Sequence, residues 1–256
     1  MSWAGLKKNL NRATTSVLHK TGNMDRTTDR EFEEEEKRAK QLSSKAEQLH
    51  KEANGYAKAL REMNAAQVRI SNTLEQFYDD GEPMGLAGHK YKDAVTKMEQ
   101  QAQDEDAAYR STVLEPIGRY NAYFPQIEEA IKRRNKKLLD YDNSRSKVRK
   151  LVERPSEDAT KLPRAEHEAN TARDMYESMN AQLTVELPKV IDARVSYLDP
   201  SFEAVVKSQL SFAQDAKNTL EALRQYFPPE PQDYVLEQQA DGILQQMREL
   251  TICGLA

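Results

Sequence analysis

The sequence has little glycine and modest hydrophobic content. Only nine of its 256 residues are glycine, hydrophobic residues make up 38 % and charged residues 31 %. A chain so poor in turn residues and so rich in charge is typical of long helices with narrow apolar stripes rather than of a round globule.

Cysteine and long apolar runs are also scarce. The single cysteine, Cys253, excludes an internal disulfide and a cysteine-built metal cage, and favours a reducing compartment. No apolar run approaches the roughly 18 residues that a membrane span requires. We therefore expect a soluble protein, or one that lies on a membrane without crossing it.

Three long segments repeat their apolar residues with a period near 3.5, which predicts coiled-coil helices. The first extends from about residue 26 to 78, the second resumes near His89, and the third starts near Leu162. The stripe of the first segment comprises Leu42, Ala46, Leu49, Ala53, Tyr56, Leu60, Met63, Gln67, Ile70, Leu74 and Phe77. Prolines inside the second and third segments predict kinks at Pro116, Pro125, Pro188 and Pro200.

Turn-rich stretches separate these segments. They are DDGEPMG (79–85), RPSEDATKLP (154–163) and PPEP (228–231), and a last short amphipathic piece follows. Short connections between long rods predict an elongated antiparallel three-helix bundle. Because narrow stripes in one chain leave apolar surface uncovered, we also expect a dimer.

The first 24 residues carry four basic residues and no acid. As a helix, this segment places Trp3, Leu6, Leu10, Ala13 and Val17 on one face, with its basic residues mostly elsewhere. This is the pattern of a helix that lies in the lipid interface. Two other interpretations stay open at this point: a helix that packs its stripe on the domain, and a mitochondrial presequence.

A second basic concentration occupies residues 132–154, with ten basic and three acidic residues, a local charge of +7. The net charge of the whole chain is −4. Because this run carries +7 and the first 24 residues carry +4, the remaining residues carry a net charge of −15. The coiled-coil stripe meets Arg134 and Arg145 here, which predicts a polar, exposed rod end. Such a cluster attracts anionic lipid or nucleic acid, although a solvated helix face with internal ion pairs is the plain alternative.

Catalytic patterns are absent from the sequence. A di-metal carboxylate site in a bundle needs two Glu-x-x-His pairs, and only Glu47 and His50 have that spacing. His50 is interpreted as a polar helix-surface residue. There is no phosphate-binding loop and no nucleophile elbow. We expect neither an enzyme, a cofactor nor a metal.

Three stretches resemble the BAR domain of amphiphysin-type proteins. They are VLEPIGRYNAYFPQIEEAIKRRNKKLLDYD (113–142), LPKVIDARVSYLDPSFEAVVKSQLSF (187–212) and the opening MSWAGLKKNLNRA. In particular, the chain resembles the short fungal BAR-only proteins named for reduced viability upon starvation. The resemblance implies an all-α fold, a crescent-shaped dimer of kinked three-helix coiled coils, and an N-terminal amphipathic helix. It makes the mitochondrial interpretation less favoured.

The resemblance also implies where the protein acts. It divides the chain into a membrane-inserting helix (1–24), a BAR domain (25–228) and a short helical segment (229–256). The inserting residues would be Trp3, Leu6, Leu10 and Val17. The residues that bind lipid headgroups would be drawn from Lys7, Lys8, Arg12, Lys132, Arg133, Arg134, Lys136, Lys137, Arg145, Lys147, Arg149, Lys150, Arg154 and Lys161.

The implied function is a scaffold that binds anionic membranes and senses or generates curvature. It would act in endocytosis, membrane scission and cortical actin organisation, in the cytoplasm and on the plasma membrane at actin patches. The partner would be a second copy or a longer amphiphysin-like protein that carries an SH3 domain, with endocytic proteins contacted indirectly. A coiled-coil cytoskeletal adaptor with incidental lipid binding is the alternative, and a nucleic-acid binder is a distant third.

Overall fold

A computed structural model describes residues 3–78, 84–227 and 233–250 of the chain. Residues 79–83 of the predicted turn at 79–85, the predicted turn at 228–231 and Cys253 lie outside the described residues. Within them every regular element is helical: α1 (Trp3–Lys20), α2 (Arg30–Glu75), α3 (Gly85–Tyr109), a π-helical turn (Arg110–Leu114), α4 (Glu115–Asn121), α5 (Phe124–Glu153), α6 (Lys161–Glu221), a 3-10 turn (Arg224–Tyr226) and α7 (Asp233–Glu249).

The chain divides into two compact units. Unit 1 comprises Met1–Ala59 and Glu105–Gln209, and unit 2 comprises Leu60–Asp104 and Leu210–Ala256. Helices α2, α3 and α6 each contribute residues to both units, as the long predicted rods require.

The core of unit 1 is an antiparallel three-helix arrangement. Near the start of α2, Phe32 packs with Ile131 of α5 and Leu187 of α6. Further along α2, Ala53 packs with Val113, which precedes α4 in the chain. Residue numbers rise along α2 while they fall along the α3–α5 segment, so the two run in opposite directions. The predicted antiparallel bundle is confirmed here.

The prolines act in two different ways. Pro116 and Pro125 each stand in the first turn of a helix, α4 and α5 respectively. For Pro125, which follows the break between α4 and α5, the missing N–H removes no helical hydrogen bond. Pro116 instead lies inside a helical run that continues without a gap from Gly85 to Asn121. The π-helical turn lies immediately before α4, and Ala122–Tyr123 separate α4 from α5. Pro188 and Pro200 lie inside the uninterrupted α6. The second predicted segment is therefore divided once, just before Pro125, whereas the third is one helix.

In unit 2 the buried face of α2 differs from the predicted stripe. Asn64 and Ser71 are buried, whereas Met63, Ile70 and Phe77 are exposed, Phe77 at 75 %. The two buried positions are seven residues apart, so the predicted helical period is correct. The face of α2 that was predicted to be buried is wrong, because a neighbouring face packs against the core of this chain. The apolar side chains on the other face have no cover within the described residues.

Candidate membrane-binding surface

Helix α1 lies against α5 through its polar face. The guanidinium of Arg12 donates two hydrogen bonds to Asp140, with Nε 2.8 Å from Oδ1 and Nη2 2.7 Å from Oδ2. The ammonium of Lys8 lies 3.3 Å from the same carboxylate. The hydrogen bond to Asp140 raises the pKa of Arg12 above its usual value. A two-point pair of this kind fixes orientation as well as distance.

A second carboxylate, Asp142, holds the connection between α1 and α2. Its side chain is fully buried and accepts hydrogen bonds from the backbone N–H of Thr27 (3.2 Å) and from the hydroxyl of Thr27 (2.6 Å). Nε2 of His19 and Nη2 of Arg145 each lie 3.4 Å from this carboxylate. Gly22, at φ 71°, supplies the left-handed residue after the end of α1. The chain therefore turns sharply between the two helices.

The apolar stripe of α1 points away from the domain. Trp3 is 83 % exposed and Leu10 67 %, and Leu6 and Val17 are also exposed. The alternative of an ordinary helix that packs its stripe on the domain is therefore wrong, because the opposite face makes the contact. The same geometry turns Arg12 inward, with only 18 % of its side chain exposed. Arg12 holds α1 in place and is not an open headgroup ligand in this pose.

Arg134 corrects the sequence interpretation most clearly. It is 3 % exposed, and its guanidinium lies 3.9 Å from the ring centroid of Phe32. Its Nη2 donates to the hydroxyl of Tyr176 at 3.0 Å and its Nε to Oδ1 of Asn180 at 2.8 Å. Burial lowers the pKa of Arg134 from its usual value. Arg134 is a core residue, so its headgroup assignment is wrong and the stripe does not end there.

The network around Arg134 continues to the start of α2. The amide of Asn180 donates to Asp29, whose carboxylate also accepts the backbone N–H of Phe32 at 3.1 Å. Burial alone would raise the pKa of Asp29, but these two hydrogen bonds and the charge of Arg134 outweigh it and hold the pKa below its usual value. One chain of polar contacts thus joins α2, α5 and α6.

The other basic residues of the run fall into two groups. Four have acidic or carbonyl partners: Lys132 near Glu128 and Glu129, Arg133 with the carbonyl of Glu129, Arg145 with Asp142 and the carbonyl of Asp25, and Arg149 with Asp25 and Glu153. Five have no ion pair within the part of the chain that the structure describes: Lys136, Lys137, Lys147, Lys150 and Arg154. Lys161, which follows the run at the start of α6, has no ion pair there either. Lys137 instead contacts the sulfur of Met175. The second group is the open part of the patch.

The two carboxylates that hold α1 were missed from the sequence. Asp140 and Asp142 were counted only as minor acids in a basic run. The available signal was their rarity, since they are two of only three acidic residues in a run with ten basic ones. His50 was interpreted as a polar residue on the helix surface, but its ring packs against α4. A Cβ added at Gly118 of α4 would lie only 3.4 Å from Nε2 of His50.

Comparison with known proteins decides the family. A family model described as BAR domain matches residues 6–228. The chain belongs to the BAR domain family. It is 49 % identical to "Protein hob3" of Schizosaccharomyces pombe, over 100 % of this chain and 98 % of that protein. It is 41 % identical to "Reduced viability upon starvation protein 161" of Saccharomyces cerevisiae, over 100 % of this chain and 99 % of that protein.

Solved structures agree with this membership. The amphiphysin BAR domain from Drosophila superposes with a TM-score of 0.64 at 24 % identity, over 78 % of this chain and 93 % of that one. The predicted all-α BAR fold is therefore confirmed, as is the resemblance to fungal BAR-only proteins. Among the described residues of this BAR protein, no helix combines the length and the hydropathy of a bilayer span.

Proposed function

We propose that this BAR protein binds anionic membranes as a dimeric scaffold that senses or generates curvature. The observation that carries the proposal is the pose of α1. Its polar face is fixed to α5 by Asp140, and its apolar stripe is exposed beside the basic end of α5. A helix held in this way exposes its apolar side chains next to a basic helix, the combination that an interfacial helix uses at an anionic surface.

Magnitudes support membrane attachment. Each basic residue close to an anionic surface contributes about 1 kcal/mol. The open group of basic residues together with exposed Lys7 therefore supplies several kcal/mol of salt-sensitive attraction. The stripe of α1 adds the burial of one tryptophan and three aliphatic side chains, each worth about 1.5–3 kcal/mol when fully transferred from water.

The uncovered apolar residues of unit 2 support dimerisation. Met63 and Ile70 on α2, Phe77 just after it, Leu86 on α3 and Phe227 are exposed. Clusters of large apolar side chains on a soluble surface mark interaction sites. We assign this face to a second BAR protein, either another copy or a longer amphiphysin-like protein with an SH3 domain.

The biological setting is proposed from relatives. One relative of Candida albicans, 39 % identical over 100 % of this chain, is named "Regulator of cytoskeleton and endocytosis RVS161". We extend endocytosis and cortical actin organisation to this chain, with membrane scission as the mechanical outcome of a curved scaffold. The protein would then act on the cytoplasmic side of the plasma membrane, at actin patches.

Co-sedimentation with vesicles tests the proposal. The protein should pellet with phosphatidylserine vesicles and not with neutral phosphatidylcholine vesicles, and added salt should weaken the binding. Leu6→Asp with Leu10→Asp should reduce binding and abolish tubulation, because charges replace the centre of the inserting stripe. Equal binding to neutral and anionic vesicles would contradict the proposal.

The adaptor alternative makes a different forecast. If lipid binding is incidental, a chain that lacks residues 1–24 should keep its cortical location and its cytoskeletal function. If α1 is the membrane wedge, that chain should lose tubulation while its helical content is otherwise retained. Electron microscopy of vesicles measures the tubulation, and circular dichroism measures the helical content.

A further inference from the structure

Helix α7 has no cover within the described part of unit 2. Every residue from Gln238 to Leu250 is exposed, including the large apolar side chains of Ile243, Leu244 and Met247. An isolated helix of this length is only marginally stable in water, and Gly242 in its interior weakens it further. Helix α7 therefore needs another surface to pack on.

The charge of α7 makes an anionic bilayer an unsuitable cover. Its 17 residues include four acidic residues and one basic residue. Anionic lipid attracts basic amphipathic helices and repels acidic ones. Ala240, Ile243 and Met247 stand at i, i+3 and i+7, the spacing with which a helix fills a groove on a protein. The cover that suits α7 is therefore a protein groove.

Unit 1 carries an apolar groove of about 560 Å³ between α5 and α6. Ile127 and Ala130 line it from α5, and Leu187 and Val190 line it from α6. Tyr120 also lines the groove, and its buried hydroxyl has no hydrogen-bond partner among the described residues. Because a buried polar group without a partner is unfavourable, this wall is incomplete in the single chain.

The groove and α7 match in length. At 1.5 Å per residue, the α5 wall from Gln126 to Arg133 is about 10 Å long and the α6 wall from Leu183 to Tyr197 is about 20 Å long. The apolar stripe of α7 from Ala240 to Leu250 covers about 15 Å. A single helix of this length fills the groove.

Polar residues at the rims match the flanks of α7. Arg133 stands on the α5 rim without a carboxylate partner in the described ranges, and Glu186 stands on the α6 rim. On α7, Asp241 lies on one flank of the stripe and Gln246 on the other. When α7 runs antiparallel to α5, Asp241 meets Arg133 and the amide of Gln246 meets Glu186. No like charges face each other in this arrangement.

We propose that α7 of each protomer binds the α5–α6 groove of a second copy. The proposal rests on the proposed dimeric function and deepens it, because it gives the C-terminal helix a place in the dimer. Each chain supplies both α7 and the groove, so a reciprocal exchange is two-fold symmetric and closed. The contact ties unit 2 of one protomer to unit 1 of its partner.

Disulfide trapping tests the contact directly. In a Cys253→Ser background, one chain carries Leu244→Cys and a differently tagged chain carries Ala130→Cys. After mixing and mild oxidation, a disulfide should join the two chains. The matched control is Glu128→Cys, two residues from Ala130 on the opposite face of α5, and it should give no covalent dimer. A chain that carries both Leu244→Cys and Ala130→Cys should also link to a second copy, and closure within one chain would overturn the assignment.

A charge exchange tests the ion pair. Asp241→Arg and Arg133→Asp should each weaken self-association by about fivefold in sedimentation velocity, because an exposed attraction becomes a repulsion. The double variant should recover most of the loss, since the opposite charges meet again. Two losses that add without recovery would overturn the pairing of α7 with this groove.

A third comparison tests the apolar stripe. Met247→Asp should weaken self-association by more than tenfold, because a charge enters the groove. Gln238→Asp adds the same charge on the opposite face of α7 and should stay within twofold of wild type. Circular dichroism checks that both variants keep their helical content. Equal effects of the two substitutions would overturn docking through the stripe.

Failure of this contact is distinguishable from failure of the proposed function. A wild-type dimer that binds anionic vesicles but gives no disulfide between Leu244→Cys and Ala130→Cys would overturn the docking of α7 alone. A wild-type protein that stays monomeric and does not pellet with anionic vesicles would overturn the proposed function as well.

Discussion

Replacing Arg134 with methionine should destabilise the fold while the membrane surface stays intact. Methionine fills much of the volume but leaves Oδ1 of Asn180 without its guanidinium donor and the hydroxyl of Tyr176 without its donor. Each buried polar group left unsatisfied costs about 1–3 kcal/mol, and the lost stacking on Phe32 adds about 1 kcal/mol. Because the guanidinium no longer has to be desolvated, part of this is recovered. We expect a net loss of roughly 2–4 kcal/mol.

Urea unfolding at fixed protein concentration, followed by far-ultraviolet circular dichroism, measures this free energy of unfolding. Lys136→Met is the matched control, because it removes one exposed cation two residues away and should change the free energy by no more than about 0.5 kcal/mol. Binding of Arg134→Met to anionic vesicles should equal wild type below the transition. A stability of Arg134→Met within about 0.5 kcal/mol of wild type, or selective loss of vesicle binding, would refute the core assignment.

Three further predictions follow from the same contacts. The pKa of Asp29 is lowered in the folded protein. Its contribution to stability is therefore complete above the unfolded pKa of about 3.9 and is lost as the pH falls through the lower folded pKa. The difference in free energy of unfolding between wild type and Asp29→Asn, measured by urea unfolding, should shrink below about pH 4. A constant difference across that range would contradict this. Asp140→Asn should free α1 and lower the fluorescence anisotropy of Trp3 in the absence of membrane, and an unchanged anisotropy would contradict the docked pose. Lys136→Glu with Lys137→Glu should raise the dissociation constant for phosphatidylserine vesicles by more than tenfold in co-sedimentation, because each reversal replaces an attraction of about 1 kcal/mol with a repulsion; unchanged binding would exclude this end of α5.

The long helices could be predicted because a 3.5-residue apolar period over many turns is a strong signal. The observed α2 (Arg30–Glu75) and the start of α6 at Lys161 lie close to the expected bounds. The proline effects were harder to predict. A proline in the first turn of a new helix and a proline inside a continuous helix both interrupt the same apolar pattern in sequence, and packing decides between them.

The direction in which side chains point was the main feature that could not be predicted from the sequence. In unit 2, the 3.5-residue period is compatible with two neighbouring faces, and the structure buries Asn64 where the larger Met63 was expected. Arg134 was interpreted as the end of the core because arginine is charged. Its burial depends on Asn180 and Tyr176, which come from another helix more than 40 residues away.

The candidate surface was predicted in part. Helical spacing alone placed the Trp3 stripe on one face, and the structure has that face exposed. Helical spacing could not indicate that Lys8 and Arg12 lie on the face that contacts α5, because the acceptor Asp140 is 128 residues from Arg12.

The emission of Trp3 tests the central claim most directly, because it is the single tryptophan of the chain. In buffer its 83 % exposure should give the spectrum of a solvated indole. On addition of phosphatidylserine vesicles the emission should shift to the blue, and lipids brominated near the headgroup should quench it. Neutral vesicles serve as the control. If Trp3 keeps its solvated spectrum while the protein co-sediments with anionic vesicles, α1 does not insert and the account of this surface is contradicted.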